Sequence, residues 1–585
     1  MIFLLILKRF SVIIKDGILI IGLVSLNIRG CEKVDNNQKL AELLFPNVGT
    51  VAEIEERYPL RNLPEGAKVT RFAPSPTGFL HIGGLFTAFA SVLAAKESKG
   101  ISFLRIEDTD KKREVEDGVS GIIEGFKAFG IEFNEGVTGF NSESGDYGPY
   151  VQSRRAEIYH TVAKQLVQNG LAYPCFCTED ELTALREKQE QEGAIIKGYF
   201  GEWAKCRNLS FEEQERRIKA GEPYVLRLRS MGNGENKFSF DDLVRGKIEM
   251  PENYTDAVLL KTDGIPTYHF AHACDDHFMR VTHVVRGDEW IASVPLHIAL
   301  FKSCGFKPVK YAHVAPIMKE DNGGKRKLSK RKDPEASVSY FVQEGCPKEA
   351  VLEYLLTLIN SNFEDWRRAN PDASLFDFGF NFKKMSQSGA LFDLVKLQDV
   401  CKNVISKMDA DTVSDYTLKW AKEYDAEFYE VISKDTQYLR SVLSIDRGTA
   451  KPRKDIAKWS EVKDSLSYLY EELYEEDYTL PENITRDEAA KILEKYLTVY
   501  SKDDDKDTWF AKIKDICEPL GYTPNVKEYK KNPDAFKGHV GDISTVIRIA
   551  VTSRRNTPDL HAIMSILGEE RVTQRIKAAT DTYTK

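Results

Sequence analysis

Arg71-Phe72-Ala73-Pro74-Ser75-Pro76-Thr77-Gly78-Phe79-Leu80-His81-Ile82-Gly83-Gly84 is the stretch whose reading decides the fold. Upstream, residues 68–72 have the pattern of a short strand. Downstream, residues 85–99 are helix-forming, Gly100 is a stop, and residues 101–106 read as a second strand. The Pro/Gly/Ser-rich turn from Ala73 to Gly84 therefore joins a strand to a helix, and strand, turn, helix, strand is a βαβ unit. In open α/β sheets, ligands gather beyond the carboxyl ends of the strands. Two stretches fall there: this turn, and Glu107-Asp108-Thr109-Asp110 after the second strand. Gly83 and Gly84 would let a ligand approach the helix N-terminus, where free N–H groups and the helix dipole favour phosphate. The spacing is neither G-x-G-x-x-G nor G-x-x-x-x-G-K-[ST], which argues against a dinucleotide dehydrogenase and a P-loop NTPase.

Around this unit, the 585 residues are long enough for three to five domains of roughly 150 residues, and 42% hydrophobic content fills several cores. Disorder and collagen-like fibre are excluded. With 82 basic against 90 acidic residues the formal charge is −8, so any polyanion would have to be met by local patches. Nine scattered cysteines make no disulfide framework and fit a reducing compartment. Residues 1–7 and 17–26 are apolar, but Lys8, Arg9, Lys15 and Asp16 separate them and leave no uninterrupted run for a spanning helix. A cytoplasmic protein without membrane attachment is expected. The alternatives for residues 1–30 are a mitochondrial presequence, which would place the protein in the matrix, and a start codon upstream of the true one.

Residues 32–68 read as a helical lead-in, from the spacing of Leu40, Leu43, Leu44, Val51 and Ile54. Charged helices at 179–192 and 211–219 look like an insertion into the α/β domain. The sheet then resumes, with 257–261 and 265–271 flanking Asp263-Gly264 as a hairpin, a strand at 281–286, and a helix from about Glu289. After Lys332 the pattern is helical almost throughout, and residues 468–478, rich in Tyr and Glu, read as an amphipathic helix with a solvated acidic face.

A second signal is Lys325-Arg326-Lys327-Leu328-Ser329-Lys330-Arg331-Lys332, six basic residues in eight behind Gly323-Gly324. As a bare pattern it is a solvated run or a localisation signal. A glycine-hinged basic loop can instead fold over a triphosphate and neutralise charge as pyrophosphate departs. Together with Pro74-x-Pro76-x-Gly78-x-x-His81-Ile82-Gly83-Gly84, the segment Lys327-Leu328-Ser329-Lys330-Arg331 resembles the signature pair of class I aminoacyl-tRNA synthetases. The phrases Arg105-Ile106-Glu107-Asp108-Thr109-Asp110, Tyr268-His269-Phe270 with Asp275-Asp276-His277, and Val285-Arg286-Gly287-Asp288-Glu289-Trp290 are similar to those of glutamyl-tRNA synthetases. The resemblance runs from about residue 68 to the closing stretches Val551–Pro558 and Leu567–Val572.

The resemblance implies an α/β plus all-α chain: a Rossmann-like catalytic domain with an insertion, followed by an α-helical anticodon-binding region. Expected boundaries are 1–67 for the N-terminal extension, 68–177 and 255–332 for the two halves of the catalytic domain, and 178–254 for the inserted acceptor-stem domain. A stem-contact helical region at 333–396 and the anticodon-binding region at 397–585 follow. The implied activity joins L-glutamate to tRNA at the expense of ATP, with Mg2+; whether tRNA for glutamine is charged as well stays open. Glutamate carries one amino group and two carboxylates, so its pocket needs an acid and at least two cationic or hydrogen-bonding partners. By the family's pattern Arg71 and Arg286 meet the carboxylates, Tyr268 hydrogen-bonds the substrate, Ser75 holds the α-carboxylate end and Glu107 pairs with the ammonium. His81, Gly83, Gly84, Lys327, Ser329 and Lys330 face ATP, with His81 against the phosphates and Lys330 stabilising the charge that shifts onto pyrophosphate. Each arginine alone reads equally well as a structural salt bridge.

Cys175, Cys177 and Cys206 resemble a zinc-binding segment found in some relatives. Asn208 stands where a fourth ligand would fall, so three reduced cysteines are the expectation and zinc the alternative. Arg113, Lys451, Arg453 and Lys454 are candidate contacts to tRNA. A monomer is expected. Three competing readings make other predictions. A glutamylase of a modified tRNA base would lack the helical C-terminal region. Glutaminyl-tRNA synthetase would have a β-barrel there, and a non-catalytic paralogue would have lost His81, Lys330, Arg71 or Arg286.

Overall fold

The computed structural model describes residues 35–110, 115–329 and 331–585. The apolar start, Arg113 and Lys330 lie outside them. The chain divides into two compact units, one running to Ser339 and resuming at Leu355–Phe392, the other made of Tyr340–Tyr354 and Asp393–Lys585.

In the first unit the lead-in forms α1 (35–44) and α2 (Val51–Arg57), the latter opened by a Thr50 capping box. It is tied down by charge: Arg57 bonds Glu157, Arg61 grips Glu135 with two hydrogen bonds of 2.7 and 3.0 Å, and Glu55 bonds both His277 and Arg280. Next come β1 (Val69–Phe72), α3 (Ile82–Glu97) and β2 (Ile101–Leu104), the βαβ unit read from the sequence. β1 and β2 are parallel in register Val69↔Ile101, β3 (Glu135–Gly139) continues the sheet on the far side of β2, and β4 (Ser142–Ser144) closes it antiparallel to β3. α3 is apolar on every side, with Ile82, Leu85, Phe89 and Leu93 buried beside Ala88, Ala90, Ala94 and Ala95, as a helix enclosed in a core must be. On the other side of β1, Thr282 donates its N–H to Val69 O at 3.0 Å and leads into β10 (His283–Gly287), which pairs in parallel with β11 (Lys310–Val314).

Between these halves lies the insertion. β5 (Ala172–Cys175), β6 (Val225–Leu228) and β9 (Val258–Leu260) form an antiparallel sheet, with capped helices Glu179–Gln191 and Phe211–Lys219 close to their expected places. β7 (Lys237–Asp242) and β8 (Gly246–Pro251) make a separate hairpin.

Three expectations are corrected. The hairpin around Asp263-Gly264 shrinks to one bridge, Leu260↔Pro266, and its second arm is helix α4 (Tyr268–Phe278). Pro266 has no N–H for a ladder, and from Tyr268 the buried positions 270, 271, 274 and 278 follow helical spacing. The Gly323-Gly324 pair does not hinge a loop: Asn322 and Gly323 turn at positive φ between β12 (Ile317–Asp321) and β13 (Gly324–Lys327), so Lys325–Lys327 is a strand. Finally, 468–478 is no amphipathic helix. After a short turn at Ser467–Leu469 the chain runs irregularly, and the buried Arg575 takes the Tyr468 carbonyl and Glu471 and lies 3.6 Å over the Tyr474 ring. Beyond Lys332 the chain is otherwise helical apart from β14 (Ala390–Leu391), which pairs with β12. The core of the second unit is built by Val413, Phe428, Leu439, Leu466, Leu493, Ile543 and Ile576 among others. No described helix is long and apolar enough to cross a membrane.

Candidate active-site crevice

A crevice of about 1420 Å³ opens where β1, β2, β10 and β11 end. Arg71, Ser75, His81, Gly83, Gly84, Glu107, Tyr268, Arg286 and Lys327 all line it, so nine positions spread over some 250 residues of chain meet at one place. Ser329 follows the lining residue Leu328, and Lys330 lies outside the described residues.

The turn after β1 is fixed by local chemistry. Pro74 and Pro76 restrict φ, and Thr77 donates its N–H to Ser75 O at 2.8 Å. His81 is the N-cap of α3: its Nδ1 accepts the Gly83 N–H at 2.9 Å, which puts the proton of a neutral ring on Nε2. A Cβ at position 84 would lie 3.1 Å from Leu80 and 3.4 Å from Phe72, so a glycine here keeps the turn against the sheet. The result is a helix N-terminus aimed into the crevice, suited to phosphate.

Opposite it, the floor is a buried ionic cluster. Arg105, fully buried, bonds Asp276 at 2.7 Å and Glu107 at 3.0 Å, while Arg155 bonds Asp275 at 2.6 Å. Arg71 donates Nε to both oxygens of Asp276 at 3.4 Å, and no hydrogen bond from a described residue reaches its Nη1 or Nη2. Burial alone would raise Asp276, but Arg71 and then Arg105 hold it well below the usual carboxylate range. Glu107 goes the other way: burial raises it against the pull of Arg105 and Arg71, so its negative charge is under-compensated. Such clusters add little net stability, because desolvation offsets attraction. What they supply is fixed direction. Removing one partner strands a buried charge at a cost of about 3–5 kcal/mol.

Tyr268, at the start of α4, packs against Trp290 with ring centroids 4.3 Å apart and the planes tilted by 37°. Burial lowers His269, and it pushes His272 down to about 4, so both rings are neutral near pH 7. On the other wall Arg326 of β13 is committed to structure, bonding Asp321 at 2.6 Å and gripping Asp333 at 2.6 and 2.7 Å. Asp333 also accepts the Ser329 N–H at 2.9 Å, and Lys319 pairs with Asp333 and Glu335. Of the basic run, then, Arg326 anchors the hairpin and Lys327 reaches the crevice.

Two further places bear on the sequence reading. In the insertion, Cys175, Cys177 and Cys206 place their sulfurs within 4.8 Å of one another, with Cys177 Sγ to Cys206 Sγ at 3.6 Å. No fourth ligand stands in the local motif, but the Tyr199 hydroxyl lies 3.4 Å from Cys175 Sγ and 3.2 Å from Cys177 Sγ. Tetrahedral zinc with bonds of about 2.3 Å sets sulfur–sulfur edges of about 3.8 Å, a spacing close to that of Cys177 and Cys206. Hydrogen bonds from Cys177 and then Cys206 lower the Cys175 thiol. In the second unit a pocket of about 320 Å³ is lined by Arg453, Tyr468, Arg554, Asn556, Thr557 and Pro558 among others. Arg453 pairs there with Asp455 and Arg554 with Asp464, Lys454 bonds Asn403, and Lys451 is exposed. Nothing in the local sequence marked this pocket.

Residues 68–398 match the family model for the catalytic domain of class I tRNA synthetases (E and Q), and residues 527–580 match an anticodon binding domain. A glutamate–tRNA ligase of Clostridium perfringens is 51% identical over 544 residues, covering 92% of this chain and 100% of that protein. One from Acetivibrio thermocellus is 50% identical over 542 residues, again covering 92% of this chain. The crystal structure of a glutamate tRNA ligase from Elizabethkingia meningosepticum, in complex with its amino acid, superposes with a TM-score of 0.71 at 26% identity over 88% of this chain and 99% of that one.

Proposed function

Since the chain belongs to the glutamate–tRNA ligases, class I aminoacyl-tRNA synthetases, we propose that the crevice residues divide between them the work of holding glutamate and ATP. The chain is a ligase that joins glutamate to tRNA, and its family uses ATP. In the first step a glutamate α-carboxylate oxygen attacks the α-phosphorus of ATP and pyrophosphate leaves. In the second the terminal ribose hydroxyl of tRNA attacks the acyl carbon of the adenylate and AMP leaves. No protein nucleophile is needed, so catalysis is positioning and charge stabilisation.

One observation carries the residue assignments: Arg71 reaches the crevice with neither terminal nitrogen hydrogen-bonded to a described residue, beside Arg286 and the under-compensated Glu107. Two guanidiniums and one carboxylate complement two carboxylates and one ammonium. Arg71 and Arg286 take the carboxylates, Glu107 the ammonium, Tyr268 and Ser75 complete the hold, and His81 with Gly83 and Gly84 presents the α3 N-terminus to the phosphates. Lys327, Ser329 and Lys330 supply positive charge and donors on the pyrophosphate side, with Mg2+ accompanying ATP. Lys451, Lys454 and the pocket at Arg453 and Arg554 are the surfaces offered to tRNA phosphate and bases, with Arg113 a further candidate. The bacterial relatives support a cytoplasmic enzyme, and we take it to act as a monomer.

Pyrophosphate exchange into ATP tests the assignment. It is expected with glutamate in the presence of tRNA and not with glutamine; exchange driven by glutamine, or none with either amino acid, would sink it. For the insertion we propose that Cys175, Cys177, Cys206 and Tyr199 hold zinc as a structural ion. Elemental analysis of protein purified without chelator is expected to find about one zinc per chain, lost in Cys206→Ser, as a four-ligand site demands. Metal-free parent protein would return these residues to three reduced thiols.

A further inference from the structure

Arg286 is a buried cation whose hydrogen-bond partners among the described residues are all neutral. Its Nε donates to His313 Nε2 at 3.0 Å, Nη1 and Nη2 each donate to His297 Nδ1 at 3.2 Å, and Nη2 donates to the Trp290 carbonyl at 3.4 Å. Among the described residues no carboxylate forms an ion pair with it. Arginine only donates, so the bonded ring nitrogens must be acceptors and both rings must be neutral. In His313 the proton then sits on Nδ1, which donates to Asp242 Oδ2 at 2.7 Å. In His297 it sits on Nε2, which donates to His269 Nδ1 at 2.9 Å. Asp242 is itself fixed at the end of β7, where its Oδ1 accepts the backbone N–H groups of Val244 and Arg245 at 3.0 and 2.9 Å.

We propose that Asp242 and His313 are positioning residues of the glutamate site: Asp242 sets the tautomer of His313, and His313 aims the Arg286 guanidinium while leaving its charge for a carboxylate of the substrate. This rests on reading Arg286 as a carboxylate partner. Neither Asp242 nor His313 lines the crevice, so both act through Arg286. A carboxylate in place of the imidazole would also orient the guanidinium, but it would neutralise it and compete with the substrate. The other groups around His313 keep it uncharged. The Tyr311 ring stacks at 5.5 Å, Phe240 stands edge-on at 6.5 Å, and burial together with the charges of Arg286 and Arg245 outweighs the pull of Asp242.

Asp242→Asn keeps the size of the side chain and the oxygen that holds the loop, but it sets an NH2 against His313 Nδ1. The ring then turns its lone pair toward the amide and its N–H toward Arg286, donor against donor. In steady-state aminoacylation by the full chain, with ATP and tRNA saturating, this variant is expected to raise the glutamate KM about 30-fold with kcat within about threefold. His313→Gln places an amide oxygen near the position of Nε2 that accepts from Arg286 without needing a tautomer. It is expected to keep KM within about fivefold, and adding Asp242→Asn to it to cost no more than about threefold further. If Asp242→Asn does not fold, the contrast between His313→Leu, with KM raised, and His313→Gln, with KM largely restored, decides the same question. A KM within about twofold of the parent in Asp242→Asn, or the same effect of that change with and without His313→Gln, overturns the proposal. Arg286→Ala separates the two ways of failing. If it leaves the glutamate KM unchanged, the reading of Arg286 falls and the proposal with it; if it raises KM while Asp242→Asn does not, only the positioning role falls.

Discussion

Arg286→Ala is expected to lower kcat/KM for glutamate about 10³-fold, chiefly through KM, because removing one partner of a buried charge pair costs about 2–5 kcal/mol and each 1.4 kcal/mol is about tenfold. The size of the effect follows from burial. Arg286 is 5% exposed, so water cannot replace it beside a bound carboxylate. Arg286→Lys is expected to recover little, since an ammonium cannot reach His313 and His297 and still present two parallel donors to a carboxylate. Glutamate titrations of aminoacylation measure both variants, with thermal unfolding as the check that the β10 region is intact. A change in kcat/KM of less than about tenfold, in protein of normal stability, would remove Arg286 from the substrate site.

Lys330→Ala is expected to slow adenylate formation about 10²–10³-fold while moving the glutamate KM less than about threefold, the pattern of a charge that acts on the leaving pyrophosphate and not on the ground state. The expectation draws on its neighbours. Lys327 lines the crevice, Leu328 is buried with its N–H on Ile317 O, and Ser329 is pinned by Asp333, so the chain entering position 330 starts from a fixed point at the crevice wall. Pyrophosphate exchange with tRNA present gives the rate, and an unchanged rate rejects the role.

Where one short segment dictated its own geometry, the sequence could be read. The βαβ unit was legible because Pro74, Pro76, His81 and Gly84 specify a turn and a cap locally. Arg71, Glu107, Tyr268 and Arg286 were legible because their motifs travel as contiguous phrases, and all four line one crevice. His313, His297, Asp242 and Tyr199 were not, since each sits alone in its own stretch and meets its partners only through topology. Residues 265–271 misled because a turn dipeptide outweighed the missing N–H of Pro266. Residues 468–478 misled because alternating Tyr and Glu suggest a solvated face, whereas the carbonyl of Tyr468 and the carboxylate of Glu471 serve the buried Arg575.

The ionic floor of the crevice also has a valence. Four buried arginines, Arg71, Arg105, Arg155 and Arg286, stand there against three buried carboxylates, Glu107, Asp275 and Asp276, while Asp242 lies one imidazole further out with Arg245 facing the same ring. The set is one anion short of neutrality. Glutamate at neutral pH has a net charge of minus one and closes that gap. Glutamine, almost the same in shape, is net neutral and leaves it open. A site that filters isosteres by size gains little, whereas one that leaves a buried group unmatched by the wrong substrate discriminates strongly. If Arg71, Arg286 and Glu107 hold the substrate as proposed, selection between the two amino acids rests on the charge that the side-chain tip brings into this buried set as well as on its hydrogen bonds.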